Sequence, residues 1–312
     1  MARVFVSNHI PGTALDRLGA EHDTKVWPER TVPPADELRR RVAGADGLLS
    51  MLTDRVDAEL IEDSPGLRAI SNYAVGVDNV DLAAATHRGI PVGNTPGVLT
   101  DSTADMALAL MLAACRRVVE SDAVVRRGDW LTWEPEFLIG YDLHGSTVGI
   151  VGYGRIGRAV ARRVEGFGCE VLRTRETPLE EVLERSDFVT LHVPLNEETR
   201  GMIGEAALER MKPTAYLVNT ARGPIVDQEA LRRALREGKI AGAALDVTDP
   251  EPLPADDPLL EAPNLTVVPH LGSATHATRE AMADLAVDNL LAGLAGERMP
   301  HCANPDVYGS VP

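Results

Sequence analysis

Cysteine is scarce in this 312-residue chain, basic residues are outnumbered and no apolar run is long. Cys115, Cys169 and Cys302 are odd in number, far apart and without a Cys-x-x-Cys pair. That argues against a disulfide framework or a metal site and suits a reducing compartment. Lys and Arg total 31 against 47 Asp and Glu, a formal net charge of −16. Such a surface repels nucleic-acid phosphate and anionic lipid, so neither is an expected partner, and a pocket for an anion has to be positive locally. The longest apolar run, ending at Cys115, is too short to span a bilayer. Residues 1–7 read as a first strand with no apolar leader before it. A cytoplasmic protein is expected. Aromatics are only 4% of the chain, yet Trp130, Trp133, Phe137 and Tyr141 crowd into residues 130–141. That stretch is either a loop packed on its own core or an arm docking on a second copy. Large aromatics concentrate in interface cores, which favours the arm.

What is present is ordinary soluble composition, 44% hydrophobic and 25% charged, on a length that exceeds a single core and predicts two domains. Apolar runs at 4–7, 47–52, 69–72, 147–151, 170–173, 188–193, 215–219, 241–246 and 265–268 alternate with helical patterns. A chain of that kind builds parallel sheets covered on both faces. Turn-rich passages at 93–101 and 272–278 mark the changes of domain, with a long helix starting near Ser102 and a last one over 279–296. The first domain therefore closes with the C-terminal helix.

The run 147–151 leads into Gly152-Tyr153-Gly154-Arg155-Ile156-Gly157 and then an amphipathic helix. The first glycine permits the tight turn, the second lets a pyrophosphate approach, and the third allows close helix–strand packing. Strand before and helix after are the context that separates a dinucleotide site from a plain turn. The next strand ends in Arg173, Thr174 and Arg175, where NAD enzymes usually place an acid for the ribose hydroxyls. Two guanidinium groups and a hydroxyl suit a 2′-phosphate and predict NADPH; a solvated strand end, with Glu176 serving NAD, is the other reading.

Three further strands end in polar groups: Arg222 after 215–219, Asp246 and Glu251 after 241–246, and His270 with Gly272 after 265–268. Ligands of doubly wound sheets bind beyond these ends. Reducing a 2-keto acid requires a cation for its carboxylate, which Arg222 supplies, and a proton donor for its carbonyl oxygen, which His270 supplies. Glu251 would fix the imidazole tautomer and favour its protonated form. Each residue alone has an ordinary reading as a surface ion pair, solvated loop charge or strand-end histidine. Their shared placement after a dinucleotide-binding strand lifts the catalytic one. His192 is read as structural or as lining the cofactor cleft.

These motifs, with Ala74-Val75-Gly76-Val77-Asp78, 97–103, Leu245 through Pro254 and 269–274, resemble the D-2-hydroxyacid dehydrogenases over nearly the whole chain. Trp130 to Trp133 and 272–278 are most similar to the glyoxylate/hydroxypyruvate reductases among them. The resemblance implies that Arg222 binds substrate, Glu251 partners His270, and His270 is the acid/base. It implies that Val75 and Gly76 offer backbone amides to the substrate carboxylate. Arg155, Ile156, Pro194, Thr220, Asp246 and Gly272 would line the cofactor, with Thr103 near the nicotinamide. Trp133 would reach a partner subunit's site in a homodimer. The implied fold is two doubly wound parallel-sheet domains. A Rossmann cofactor domain (99–281) is inserted in a flavodoxin-like substrate domain (1–98 and 282–312), with an interdomain cleft closing on substrate. The expected reaction carries hydride from NADPH, with NAD as the lesser option, to a small 2-keto acid such as glyoxylate or hydroxypyruvate. The alternatives are another NAD-dependent member, phosphoglycerate or broad-specificity, or a dinucleotide-sensing scaffold without activity. The chain departs from the family between Arg175 and Ser186, where only a helix over 178–184, capped by Thr177 with Glu180, replaces a longer stretch. The nucleotide sheet is therefore expected to lack a strand. Asp105 also stands where the family usually has Glu.

Overall fold

The computed structural model describes residues 1–309, and the chain divides into two units. One is Met1–Leu99 with the chain from Ala274 onward; the other is Thr100–Ser273. The second crossing thus lies ahead of the expected 281/282. The reason is that His276–Ala295 (α11) is one uninterrupted helix, capped where the Thr275 hydroxyl accepts from Thr278 N–H, and its buried residues pack in the first unit.

In the first unit, Arg3–Val6 (β1), Asp23–Val26 (β2), Gly47–Ser50 (β3), Ala69–Asn72 (β4) and Val92–Gly93 (β5) form a parallel sheet in the order β2-β1-β3-β4-β5. That is the flavodoxin-like order. All four residues of β3 and of β4 are buried, as expected of strands covered on both faces. Two short helices begin where Asp57 and Asp81 accept from Leu60 and Ala84 N–H at 3.0 and 2.9 Å. Ser71 Oγ and Tyr73 Oη donate to the Ala286 and Arg279 carbonyls, both at 2.7 Å, tying α11 to β4 and its following turn.

The second unit holds Thr147–Val151 (β6), Glu170–Arg173 (β7), Phe188–Leu191 (β8), Tyr216–Asn219 (β9), Gly242–Leu245 (β10) and Leu265–Val267 (β11). They pair in parallel in the order β11-β10-β9-β8-β6-β7. Alternation sorts their side chains. Phe188, Tyr216, Val218 and Ala244 pack with Thr100–Cys115 (α5) and Arg155–Glu165 (α7). Val189, Leu191, Leu217, Ala243 and Leu245 face the other way, among Leu179–Arg185 (α8), Glu205–Arg210 (α9) and Gln228–Arg236 (α10). Asp105 bonds Arg163 Nε at 2.6 Å between α5 and α7.

Among the described residues no strand pairs outside β7, so the sheet ends there and α8 leads back to β8. One local expectation is corrected. Pro178, not Thr177, takes the N-cap of α8, and no side-chain capping bond forms. The fixed φ of proline already sets the turn into the helix.

Candidate active site

Parallel pairing aligns the strand ends of the second unit in one row. Val151 lies opposite Leu191, Leu191 opposite Asn219, Asn219 opposite Leu245, and Leu245 opposite Val267. The chain therefore leaves the sheet side by side at Gly152, His192, Thr220, Asp246 and Val268. On the outer side, Ile150 pairs with Arg173, so Thr174 and Arg175 leave at the same edge.

The glycine turn fits a dinucleotide. Gly152 has φ +94°, and a Cβ there would come within 2.6 Å of the His192 backbone. A Cβ on Gly157 would collide with the Gly152 carbonyl oxygen. Gly154 differs: its φ is −80° and a Cβ would meet nothing within 4 Å. No packing inside the protein requires glycine there, whereas close approach of a phosphate does. Helix α7 starts on Gly154 with no side-chain cap and no acidic residue in its first turn, leaving amides and the positive dipole end for an anion.

At the end of β7 the three polar residues divide their work. Thr174 Oγ1 accepts from Gly152 N–H at 3.1 Å, so this hydroxyl braces the turn. Arg173 donates to Glu176 at 2.8 Å and to Tyr153 Oη at 2.9 Å, with its guanidinium 4.9 Å from the Tyr153 ring centre. Arg175 is exposed, and its side chain meets no ion-pair or hydrogen-bond partner among the described residues.

Beyond β9, the Asn219 carboxamide donates to the Arg222 carbonyl at 2.8 Å and accepts from Ala221 N–H at 3.0 Å, which shapes the loop carrying the guanidinium. Gly223 follows so close to the Thr248 carbonyl that a Cβ would overlap it, and the Arg222 loop is thereby pressed against the loop carrying Glu251. Asp246 is buried, which pushes its carboxyl above the usual carboxylate range. Its oxygens accept from Leu271 and Gly272 N–H at 2.5 and 2.8 Å, and its carbonyl from His270 N–H at 2.9 Å. These bonds hold His270 at φ +53°, a left-handed conformation that a non-glycine residue adopts only under such constraint. His270 Nδ1 is hydrogen-bonded to Glu251 Oε1. Their side chains are 22% and 27% exposed, and Nε2 has no partner among the described residues.

Ser102 Oγ donates to the Gly272 carbonyl at 2.8 Å, and a Cβ on Gly272 would lie 3.0 Å from Asp246 Oδ2 and 3.4 Å from Thr103. Thr103, Asp246 and Gly272 thus meet, while Pro194 is exposed after β8. His192 is engaged at both nitrogens, by Thr190 at 2.9 Å and Thr220 at 3.5 Å, and burial pushes its pKa down to about 3. It is a structural neutral imidazole.

In the first unit, the turn after β4 has its carbonyls taken and its amides left over. Thr95 N–H donates to Ala74 O at 2.8 Å, Asn94 Nδ2 to Val75 O at 2.8 Å and Asn72 Nδ2 to Gly76 O at 2.9 Å. The Val75 and Gly76 amides meet no acceptor among the described residues. Successive outward N–H groups of this kind form an anion-binding concavity. Asn72 and Asn94 were not singled out from the sequence. A strand-end Asn signals such bracing only when the carbonyls within its reach are known.

The tryptophans of the aromatic segment stand off the core, while its end at Tyr141 rests on it. Trp130 is 58% and Trp133 78% exposed, and Tyr141 leans edge-on against Tyr216, at 5.9 Å.

A parallel sheet whose carboxyl row joins a glycine turn fit for a dinucleotide to an open imidazole–carboxylate pair is the arrangement of a dinucleotide-dependent oxidoreductase. The profile of the D-isomer specific 2-hydroxyacid dehydrogenases, NAD binding domain, matches residues 108–272. A glyoxylate reductase of Korarchaeum cryptofilum is 51% identical over 98% of this chain and 96% of its own length. One from Thermococcus litoralis is 47% identical over 99% of each. Among solved structures, the TT0316 protein of Thermus thermophilus superposes with a TM-score of 0.91 at 50% identity, covering 96% of this chain and 99% of its own. An NADPH-dependent glyoxylate/hydroxypyruvate reductase of Sinorhizobium meliloti, solved with NADP and malonate, gives 0.86 at 34% identity and covers 97% of both chains. The chain belongs to the D-isomer specific 2-hydroxyacid dehydrogenases, as its motifs imply, and carries that family's NAD(P)-binding domain. No helix among the described residues is long and apolar enough to cross a membrane.

Proposed function

We propose that this enzyme reduces glyoxylate, and with it hydroxypyruvate, to the 2-hydroxy acid, with NADPH as the preferred donor. The observation that carries the proposal is the His270–Glu251 pair, open at Nε2, on the same strand-end row as the glycine turn. The names of the relatives supply the substrate class.

The cofactor would lie against Gly152, Gly154, Arg155, Ile156 and Gly157, then Pro194, Thr220, Asp246, Gly272 and Thr103. When bound, it supplies the hydride that reaches the carbonyl carbon. His270 gives its Nε2 proton to the carbonyl oxygen as that carbon accepts the electron pair, and Glu251 holds Nδ1–H, fixing the tautomer. Arg222 forks the substrate carboxylate. That clamp supplies the local positive charge that a chain of net charge −16 otherwise lacks for an anion.

Unengaged Arg175 supports the NADPH preference, with Arg173 held beside it by Tyr153 and Glu176 and Thr174 bracing the turn. The exposed Trp133 supports a homodimer in which it reaches the partner's site. The cysteines, all free, suit the cytoplasm.

The test is consumption of NADPH and of NADH over a panel of 2-keto acids. Rapid oxidation of NADPH with glyoxylate or hydroxypyruvate is expected; activity confined to larger keto acids would overturn the substrate assignment. In the same assay Arg175→Asp is expected to move the preference toward NADH, and an unchanged ratio would show that Arg175 does not read the 2′-phosphate.

A further inference from the structure

The loop that carries Glu251 packs through Val247, Thr248 and Leu253 but is held by few hydrogen bonds. Among the described residues, its backbone between 247 and 253 is hydrogen-bonded at two places. Thr248 Oγ1 donates to Pro250 O at 2.8 Å, a bond internal to the loop. The other place is Asp249, where a single side chain takes both groups: Gln228 Nε2 donates to Asp249 O at 2.5 Å, and Asp249 N–H donates to Gln228 Oε1 at 2.7 Å. A carboxamide matched to both sides of one peptide residue fixes its orientation as well as its position.

Gln228 is itself rigidly placed. It is the first residue of α10, next to Asp227, which caps the helix by accepting from Ala230 N–H at 2.9 Å. Asp227 N–H in turn donates to Ile203 O at 3.0 Å. Upstream, the 3-10 turn Gly223–Ile225 connects this helix start directly to Arg222, and Gly223 abuts the Thr248 carbonyl. The substrate-clamping loop and the histidine-orienting loop are therefore fastened together at the foot of one helix, by one glycine contact and one glutamine.

We infer that Gln228 is a positioning residue that sets the Glu251 carboxylate against His270 by clamping Asp249. The inference rests on the proposed roles of Glu251 and His270. His270 is faced by Glu251 from this loop and by Asp246 from the end of β10. With Asp246 anchored by its own amide bonds, freedom gained at Asp249 falls on Glu251. Loss of the clamp lowers the fraction of molecules in which Glu251 orients the imidazole; in general, a carboxylate bonded to an imidazole favours the charged form.

The test is the pH profile of kcat and the split between kcat and the glyoxylate KM in Gln228→Ala, Gln228→Glu and Glu251→Gln, each with its melting temperature. In Gln228→Ala, kcat is expected to fall about tenfold, as sub-ångström misplacement of a reacting group does. The limb falling at high pH should move to lower pH, while KM changes less than kcat. Gln228→Glu keeps the acceptor for Asp249 N–H and loses the donor, so an intermediate effect is expected, and it serves alone if the alanine variant does not fold. Wild-type kcat with an unmoved limb in the Gln228 variants, beside a moved limb in Glu251→Gln, overturns the clamp alone. An unmoved limb in Glu251→Gln overturns the underlying assignment of the pair.

Discussion

Two histidines sit at strand ends of one sheet, His192 after β8 and His270 after β11, and their surroundings give them different parts. His270 has one nitrogen on Glu251 and the other open. His192 has both nitrogens on threonine hydroxyls, and burial takes its pKa from 6.5 to about 3. At neutral pH His192 is an uncharged imidazole without the imidazolium proton that a general acid gives. The folded state keeps it neutral while the unfolded chain protonates it, so the unfolded state binds more protons throughout that interval. Stability is therefore lost as the pH falls below 6.5. The loss approaches about 1.4 kcal/mol for each pH unit. Urea melts of His192→Gln against the parent protein at neutral and mildly acidic pH check this. The parent is expected to lose more stability on acidification than the variant; equal losses would mean that His192 is not the group titrating.

The glycine turn ending β6 separates stability from binding. At Gly152 a side chain meets both a positive φ and the His192 backbone, so substitution costs the fold; at Gly154 it meets open space in an ordinary conformation. Gly154→Ala is expected to melt with the parent protein while binding NADPH about tenfold more weakly, the equivalent of one charge-assisted hydrogen bond. Calorimetric titration measures it, and unaltered affinity would mean that no phosphate approaches there. Elements of this kind were legible in the sequence because buried parallel strands are unbroken apolar runs. β3, β6, β8, β9 and β10, largely apolar, announce themselves, as does β11; of the proposed catalytic residues Arg222 follows β9, Glu251 follows β10 and His270 follows β11. The edge strand β2, Asp-Thr-Lys-Val with alternating exposure, carries no such run, and β5 is two residues long. Both went unread. The Gln228 clamp and the Asn72 and Asn94 bonds were illegible for another reason: which backbone group a carboxamide meets is settled by tertiary packing, not by spacing.

At the scale of the whole molecule, residues 130–141 leave Trp130, Leu131, Trp133 and Ile139 exposed in a chain with few aromatics. Exposed apolar side chains that gather into a patch favour an interaction site, which is the basis of the proposed homodimer. Sedimentation of Trp133→Ala is expected to show weakened self-association, and an undisturbed dimer would leave the arm without that role. The proposed reaction depends on the strand-end row delivering a proton donor to a substrate carbonyl. Turnover of His270→Ala with NADPH and glyoxylate tests that dependence most directly. A fall in kcat of about 10²–10⁴ is expected if Nε2 is the general acid; turnover close to that of the parent enzyme would contradict it.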